Sequence, residues 1–111
     1  MFKKVCFGAL IFATPASAMT CKVSYYGGGE YLNRHTANGE VFGKGFTIAL
    51  RNYNFGHHYR VSYKGRKVTV RHNDVGPASW TGRCGDLNRN AASSLGIIKQ
   101  GVATVNITKI D

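Results

Sequence analysis

Glycine interrupts this chain every few residues. Fourteen glycines lie in 111 residues, and the pieces between them are short and rich in β-branched and aromatic side chains. Such a chain has little room for long helices, but it can make short strands joined by tight turns. Lys22 to Tyr26 reads as a strand ended by Gly27-Gly28-Gly29. Glu40 to Phe42 is a short extended piece. Phe46 to Leu50 is apolar and too brief for periodicity to separate strand from helical turn. Tyr59 to Tyr63 alternates, with Tyr59, Val61 and Tyr63 on one face. Lys64-Gly65 makes a tight turn, and Lys67 to His72 alternates again, with Val68 and Val70 inward and Thr69 and Arg71 outward. That pair predicts a β-hairpin. One short helix follows, capped by Asp86 or Asn88, with Ala91, Ala92 and Leu95 on its apolar face and Gly96 as its stop. Gly101 to Ile110 is a last strand with Val105 and Ile107 on one face. Many short strands and one helix predict a mainly β fold, a small closed barrel rather than a sandwich.

The amino-terminal end has a different character. Lys3 and Lys4 form a basic start, Val5 to Ala13 is a mostly apolar run, and Ala16-Ser17-Ala18 is a small-x-small cleavage site. These parts in this order predict a signal peptide over residues 1–18 and a domain over 19–111. The apolar run is about half the ~20 residues a spanning helix needs, so no stable membrane anchor is expected. Met19-Thr20 before Cys21 fits a lipid-attachment signal poorly. The expected product is therefore exported, in the periplasm or secreted, and monomeric. Cys6 leaves with the leader, and in an oxidising compartment Cys21 and Cys84 could pair and staple a domain whose core is modest. Loss of Lys3 and Lys4 leaves thirteen basic residues against five acids, a net charge of +8. That field concentrates anionic polymers at the surface. The charge alone does not make a nucleic-acid-binding protein, since no such motif is present.

Only five acids can carry chemistry: Glu30, Glu40, Asp74, Asp86 and Asp111. Asp111 is terminal and expected to fray. Asp86 reads as a helix cap, and Glu30 as a solvated loop residue. Asp74 lies where an alternating strand ends and a Gly-Pro turn begins, a rigid and accessible place, although an Asx-turn would explain it equally. Glu40 follows an Asn-Gly turn and on its own reads as a surface glutamate. His57 and His58 are adjacent, so in extended chain they face opposite ways and cannot share an ion. Neither a metal nor a cofactor is expected.

Four segments together resemble the rare lipoprotein A (RlpA) family, from about Val23 to Ile110. They are Val23-Ser24-Tyr25-Tyr26-Gly27, Thr36-Ala37-Asn38-Gly39-Glu40-Val41-Phe42, Gly65-Arg66-Lys67-Val68-Thr69-Val70-Arg71 continuing through Asn73-Asp74-Val75-Gly76-Pro77, and Asp86-Leu87-Asn88 with Ala91-Ala92 and Leu95-Gly96. The resemblance implies a six-stranded double-psi β-barrel. It also implies a peptidoglycan lytic transglycosylase, cutting between N-acetylmuramic acid and N-acetylglucosamine to leave 1,6-anhydro ends. A relative using the same groove only to bind wall glycans, as expansins do, is the alternative. By this resemblance Asp74 is the general acid/base and Glu40 a second groove residue. Tyr25, Tyr26, Asn73 and Trp80 are expected glycan contacts, since sugar rings stack on aromatic faces. Arg71 is expected beside Asp74. The sequence departs from the family at three places: Leu50 stands where its Thr-Ala-Ala-His motif has histidine, Gly43 where aspartate is frequent, and Val75 where arginine precedes Gly-Pro.

Overall fold

Two alternating segments flank Lys64-Gly65, and they fold back on each other as their pattern requires. Lys64 (φ 47°) and Gly65 (φ 81°) both take positive φ. This is the turn whose twist matches that of its strands, and glycine adopts it without steric penalty. The chain is described by a computed structural model over residues 18–27 and 35–111. Residues 1–17 of the signal peptide expected over 1–18, and Gly28, Gly29 and Glu30, lie outside the described residues. Among the described residues six strands are present: β1 (Met19–Tyr26), β2 (Thr47–Leu50), β3 (His58–Tyr63), β4 (Arg66–Val75), β5 (Gly85–Asn88) and β6 (Val102–Lys109). A 3-10 turn spans Ser79–Thr81 and helix α1 spans Arg89–Leu95. The Phe46 to Leu50 segment thus resolves as strand from Thr47 onward, and β1 begins earlier than its pattern suggested. The Glu40 to Phe42 piece forms no strand; a single bridge joins His35 to Val41.

The strands close into a barrel in the order β1-β5-β2-β4-β3-β6. Two neighbouring pairs, β1 with β5 and β2 with β4, run parallel; the other four are antiparallel. Closure removes the open edges that short strands would otherwise present to solvent. Alternation then sends one face of each strand inward. Val23, Ile48, Val61, Val70, Leu87, Val105 and Ile107 are fully buried or nearly so. The buried face of α1, Ala91, Ala92 and Leu95, joins the same core. Among the described residues no helix is long and apolar enough to cross a membrane.

The helix cap is Asn88 rather than Asp86. The Asn88 Oδ1 accepts the Ala91 N–H at 3.0 Å, its Nδ2 donates to the Gly45 carbonyl at 2.8 Å, and Gly96 closes the helix with φ 79°. One side chain therefore starts α1 and anchors the loop entering β2. Asp86 sits in β5, where it accepts hydrogen bonds from Ser24 and Arg83. Asp111 is tethered rather than frayed: its carboxylate accepts the His58 main-chain N–H and lies 2.6 Å from His58 Nδ1. Cys21 and Cys84 are bonded, with Cα atoms 6.1 Å apart. The bond pins β1 to the residue before its parallel partner β5, where Cys84 N–H also donates to the Lys22 carbonyl at 2.9 Å.

Two stability measurements follow. Replacing both cysteines by serine should lower unfolding free energy by about 4 kcal/mol in the chain-entropy account, read from urea denaturation of the folded protein. An Asn88→Ala change should cost about 2 kcal/mol, because a cap bond and a loop anchor go together. It should also raise amide exchange at Ala91 selectively.

Candidate active site

A register shift at the end of β4 shapes the site. In a regular strand Val68, Val70, His72 and Asp74 would share the inward face. Pairing with β2 instead runs Ile48 to His72 and then Ala49 to Asp74, so Asn73 is an extra residue, a β-bulge. Past the bulge the alternation changes phase. His72 and Asn73 are buried, whereas Asp74 is partly exposed.

The Asp74 carboxylate is held by three donors. Its Oδ1 accepts the N–H of Ala37 and of Val75, each at 3.0 Å, and its Oδ2 accepts the Tyr26 hydroxyl at 2.9 Å. The Val75 bond is local, as for a loop-capping aspartate. Ala37 and Tyr26, however, are brought from distant parts of the chain. Burial pushes the Tyr26 phenol well above its ordinary range, and the Asp74 charge and hydrogen bond push it the same way. Tyr26 is thus a neutral donor, and its ring meets Phe42 edge-on at 5.1 Å.

Glu40 is placed by a compact loop. Thr36 N–H donates to the Glu40 carbonyl, Gly39 N–H donates to the Thr36 carbonyl, and Asn38 N–H reaches the Asn73 carbonyl at 3.2 Å. The loop is therefore docked on the bulge itself. The Glu40 carboxylate meets Arg71 in a two-pronged pair (Nη2–Oε1 2.5 Å, Nε–Oε2 3.1 Å) and also accepts from Asn73 Nδ2 and Asn38 Nδ2, each at 3.0 Å. The Arg71 hydrogen bonds, aided by those of Asn73 and Asn38, hold its pKa down at about 2 against the opposing effect of burial. Arg71, expected beside Asp74, is instead committed to Glu40, and that pairing raises its own pKa. Asn73 Oδ1 is buried without a hydrogen-bond partner among the described residues.

The structure gathers Tyr26, Glu40, Asn73 and Asp74 into one network. Tyr25 lies apart from it. Adjacent strand residues face opposite ways, and the Tyr25 hydroxyl donates to the Ile98 carbonyl at 3.0 Å with its ring near Arg89. Trp80 stands on the 3-10 turn after β4, 88% exposed and free to stack. Leu50 is 7% exposed and packs in the barrel core. A different histidine, His72, reaches the Asp74 main chain from inside the barrel (Nε2 to the Asp74 carbonyl, 3.0 Å). The family resemblance signalled Asp74 and Glu40. It did not signal Asn38 or the Ala37 N–H, although both lie in the same motif as Glu40.

Glu40 links the network to pH. Its folded pKa of about 2 lies below the ordinary 4.5, so its stabilisation is present above pH 4.5 and is lost as pH falls toward 2. In thermal melts across that window the parent should lose stability more steeply than Glu40→Gln, which should already be less stable at neutral pH.

Comparison with known proteins agrees with this architecture. A double-psi β-barrel family model described as lytic transglycolase matches residues 18–107. A probable endolytic peptidoglycan transglycosylase RlpA from Nostoc sp. is 46% identical over 88 residues, covering 76% of this chain and 24% of that protein. The endolytic peptidoglycan transglycosylase RlpA of Neisseria meningitidis serogroup A is 36% identical over 94 residues, covering 82% of this chain and 38% of that protein. The chain thus spans about a quarter to two fifths of the length of these relatives. Among solved structures, the Streptomyces papain inhibitor superposes with a TM-score of 0.70 at 22% identity, covering 86% of this chain and 96% of that one, a likeness of fold alone. With the family model spanning nearly all of the barrel and three of the four motifs meeting at one network, the chain belongs to the RlpA-like double-psi β-barrel family of lytic transglycosylase domains.

Proposed function

We propose that this domain is an exported peptidoglycan lytic transglycosylase with Asp74 as its single proton-transfer group. The observation that carries the reading is the contrast between the two carboxylates. Glu40 is ion-paired and held ionised, with a pKa of about 2, so it is unsuited to donate a proton. Asp74 is partly exposed and has no ion pair among the described residues. A protonated Asp74 would give its proton to the glycosidic oxygen between N-acetylmuramic acid and N-acetylglucosamine. The resulting carboxylate would take the proton of the muramic C6 hydroxyl, which closes on C1 to form the 1,6-anhydro ring. No water is consumed, so the second carboxylate that hydrolysis usually needs is not required. Tyr26 suits both states, because a phenol can donate to the carboxylate and accept from the acid. Glu40 would support positive charge developing on the sugar, with the buried Asn73 holding Glu40 in place and Trp80 contacting the glycan. Export is consistent with the Cys21–Cys84 bond, which persists in oxidising compartments.

Leu50 favours a second reading. With a leucine packed in the core where the resemblance expects histidine, the groove could bind wall glycan without cutting it. Digestion of glycan strands lacking stem peptides separates the two. The first reading expects anhydro-ended fragments from the parent, and a loss of about 10²-fold or more in rate for Asp74→Asn with glycan binding retained. Saturable binding to sacculi with no fragments released, under conditions where an active family member cuts, would establish the second.

A further inference from the structure

His72 is fully buried, and both of its ring nitrogens face carbonyl oxygens. Nδ1 lies 3.0 Å from the Asn54 carbonyl and Nε2 lies 3.0 Å from the Asp74 carbonyl. A carbonyl oxygen only accepts. A neutral imidazole has one N–H, so it would satisfy one carbonyl and set a lone pair against the other. Only the imidazolium donates to both.

We infer that His72 is a buried, doubly protonated positioning residue that sets Asp74 through the main chain rather than by touching glycan. The path is short. The peptide between Asp74 and Val75 accepts from His72 Nε2 at its carbonyl and donates from its N–H to Asp74 Oδ1. An imidazolium on the carbonyl side polarises that peptide and strengthens the bond on the carboxylate side. It also fixes the peptide plane just beyond the bulge. The loop before β3 wraps the same residue: Gly56 N–H donates to the His72 carbonyl at 2.9 Å, and His72 N–H donates to the His57 carbonyl at 3.0 Å. This histidine therefore joins the 51–57 loop to the strand end that carries Asp74.

Burying a cation costs free energy, which two charge-assisted hydrogen bonds offset. The groups around it are few. From β2 its partner is Ile48, which is uncharged. From the loop come the Phe55 ring, with centroids 5.0 Å apart, and His57, whose imidazole turns to Asp111. From β3 comes the edge of Tyr59 at 6.3 Å, its phenol held neutral by burial and by Asp111, which also pairs with His58. From its own strand come Asp74 and Arg71, the latter engaged by Glu40. Among the described residues none of these groups brings a second cation to the two-carbonyl clamp.

The effect on turnover rests on the reading of Asp74 given above; the protonation state does not. Nitrogen-detected NMR of the imidazoles in the folded full chain tests it directly. Both His72 nitrogens should carry protons in the folded chain. A neutral single tautomer at His72 in that folded chain would overturn the inference, whether or not the protein cuts glycan. Where the parent is active, His72→Gln keeps a donor but cannot bridge both carbonyls. It should lower kcat about tenfold or more with KM unchanged, and an unchanged kcat in a folded variant would overturn the positioning role. If that variant does not fold, the NMR measurement on the parent decides.

Discussion

The extra residue at Asn73 is the constraint on which the rest of the site depends. A strand that alternates in and out would bury the carboxylate of Asp74 beside Val68 and Val70. An unpaired carboxylate there would be strongly disfavoured. One inserted residue moves Asp74 to the solvent side while His72 keeps its inward position. The same bulge offers its free main-chain and side-chain groups to the loop before β2. Asn38 docks on the Asn73 carbonyl and Glu40 on the Asn73 amide. Sheet geometry and loop placement are therefore one arrangement.

That arrangement gives two acids different surroundings. Glu40 is surrounded by donors, two of them from a guanidinium, so its charge is held. Asp74 receives only neutral donors: two main-chain N–H groups and a phenol. Hydrogen bonds from neutral groups orient a carboxylate without bringing a full positive charge beside it. The proposed transfer, in which one group gives and retrieves a proton, needs such a difference between neighbours. The commitment of Arg71 to Glu40 rather than to Asp74 creates it.

Closure of the barrel makes these positions rigid. Every strand has two neighbours, and β2 lies between β5 and β4, so Ala49 faces Asp86 on one side and Asp74 on the other. Asn88 fastens the start of α1 to the loop entering β2, and the disulfide fastens β1 to the approach to β5. Tyr26, at the end of β1, thereby has a fixed origin from which to reach Asp74. The strands are four to ten residues long, so few side chains are available for each contact. Local anchors of this kind supply what a larger core would supply elsewhere.

Much of this was legible in the residues themselves. Alternation around Lys64-Gly65 specified the hairpin, because a tight turn brings adjacent segments together without help from the rest of the chain. Ala91, Ala92, Leu95 and Gly96 specified the helix for the same local reason. The order of four motifs specified the family, and it singled out Asp74 and Glu40 as candidates. What the sequence could not determine by itself were contacts between segments far apart in the chain. The cap passed to Asn88 because β5 runs on through Asp86, and Arg71 turned to Glu40 because the 35–42 loop docks on the bulge. Tyr25 and Tyr26 parted because they lie on opposite faces of β1. The two carbonyls around His72 come from a loop and a strand end. Spacing along the chain encodes local turns and periodicity; which donor meets which acceptor across a barrel is decided only when the strands are in register.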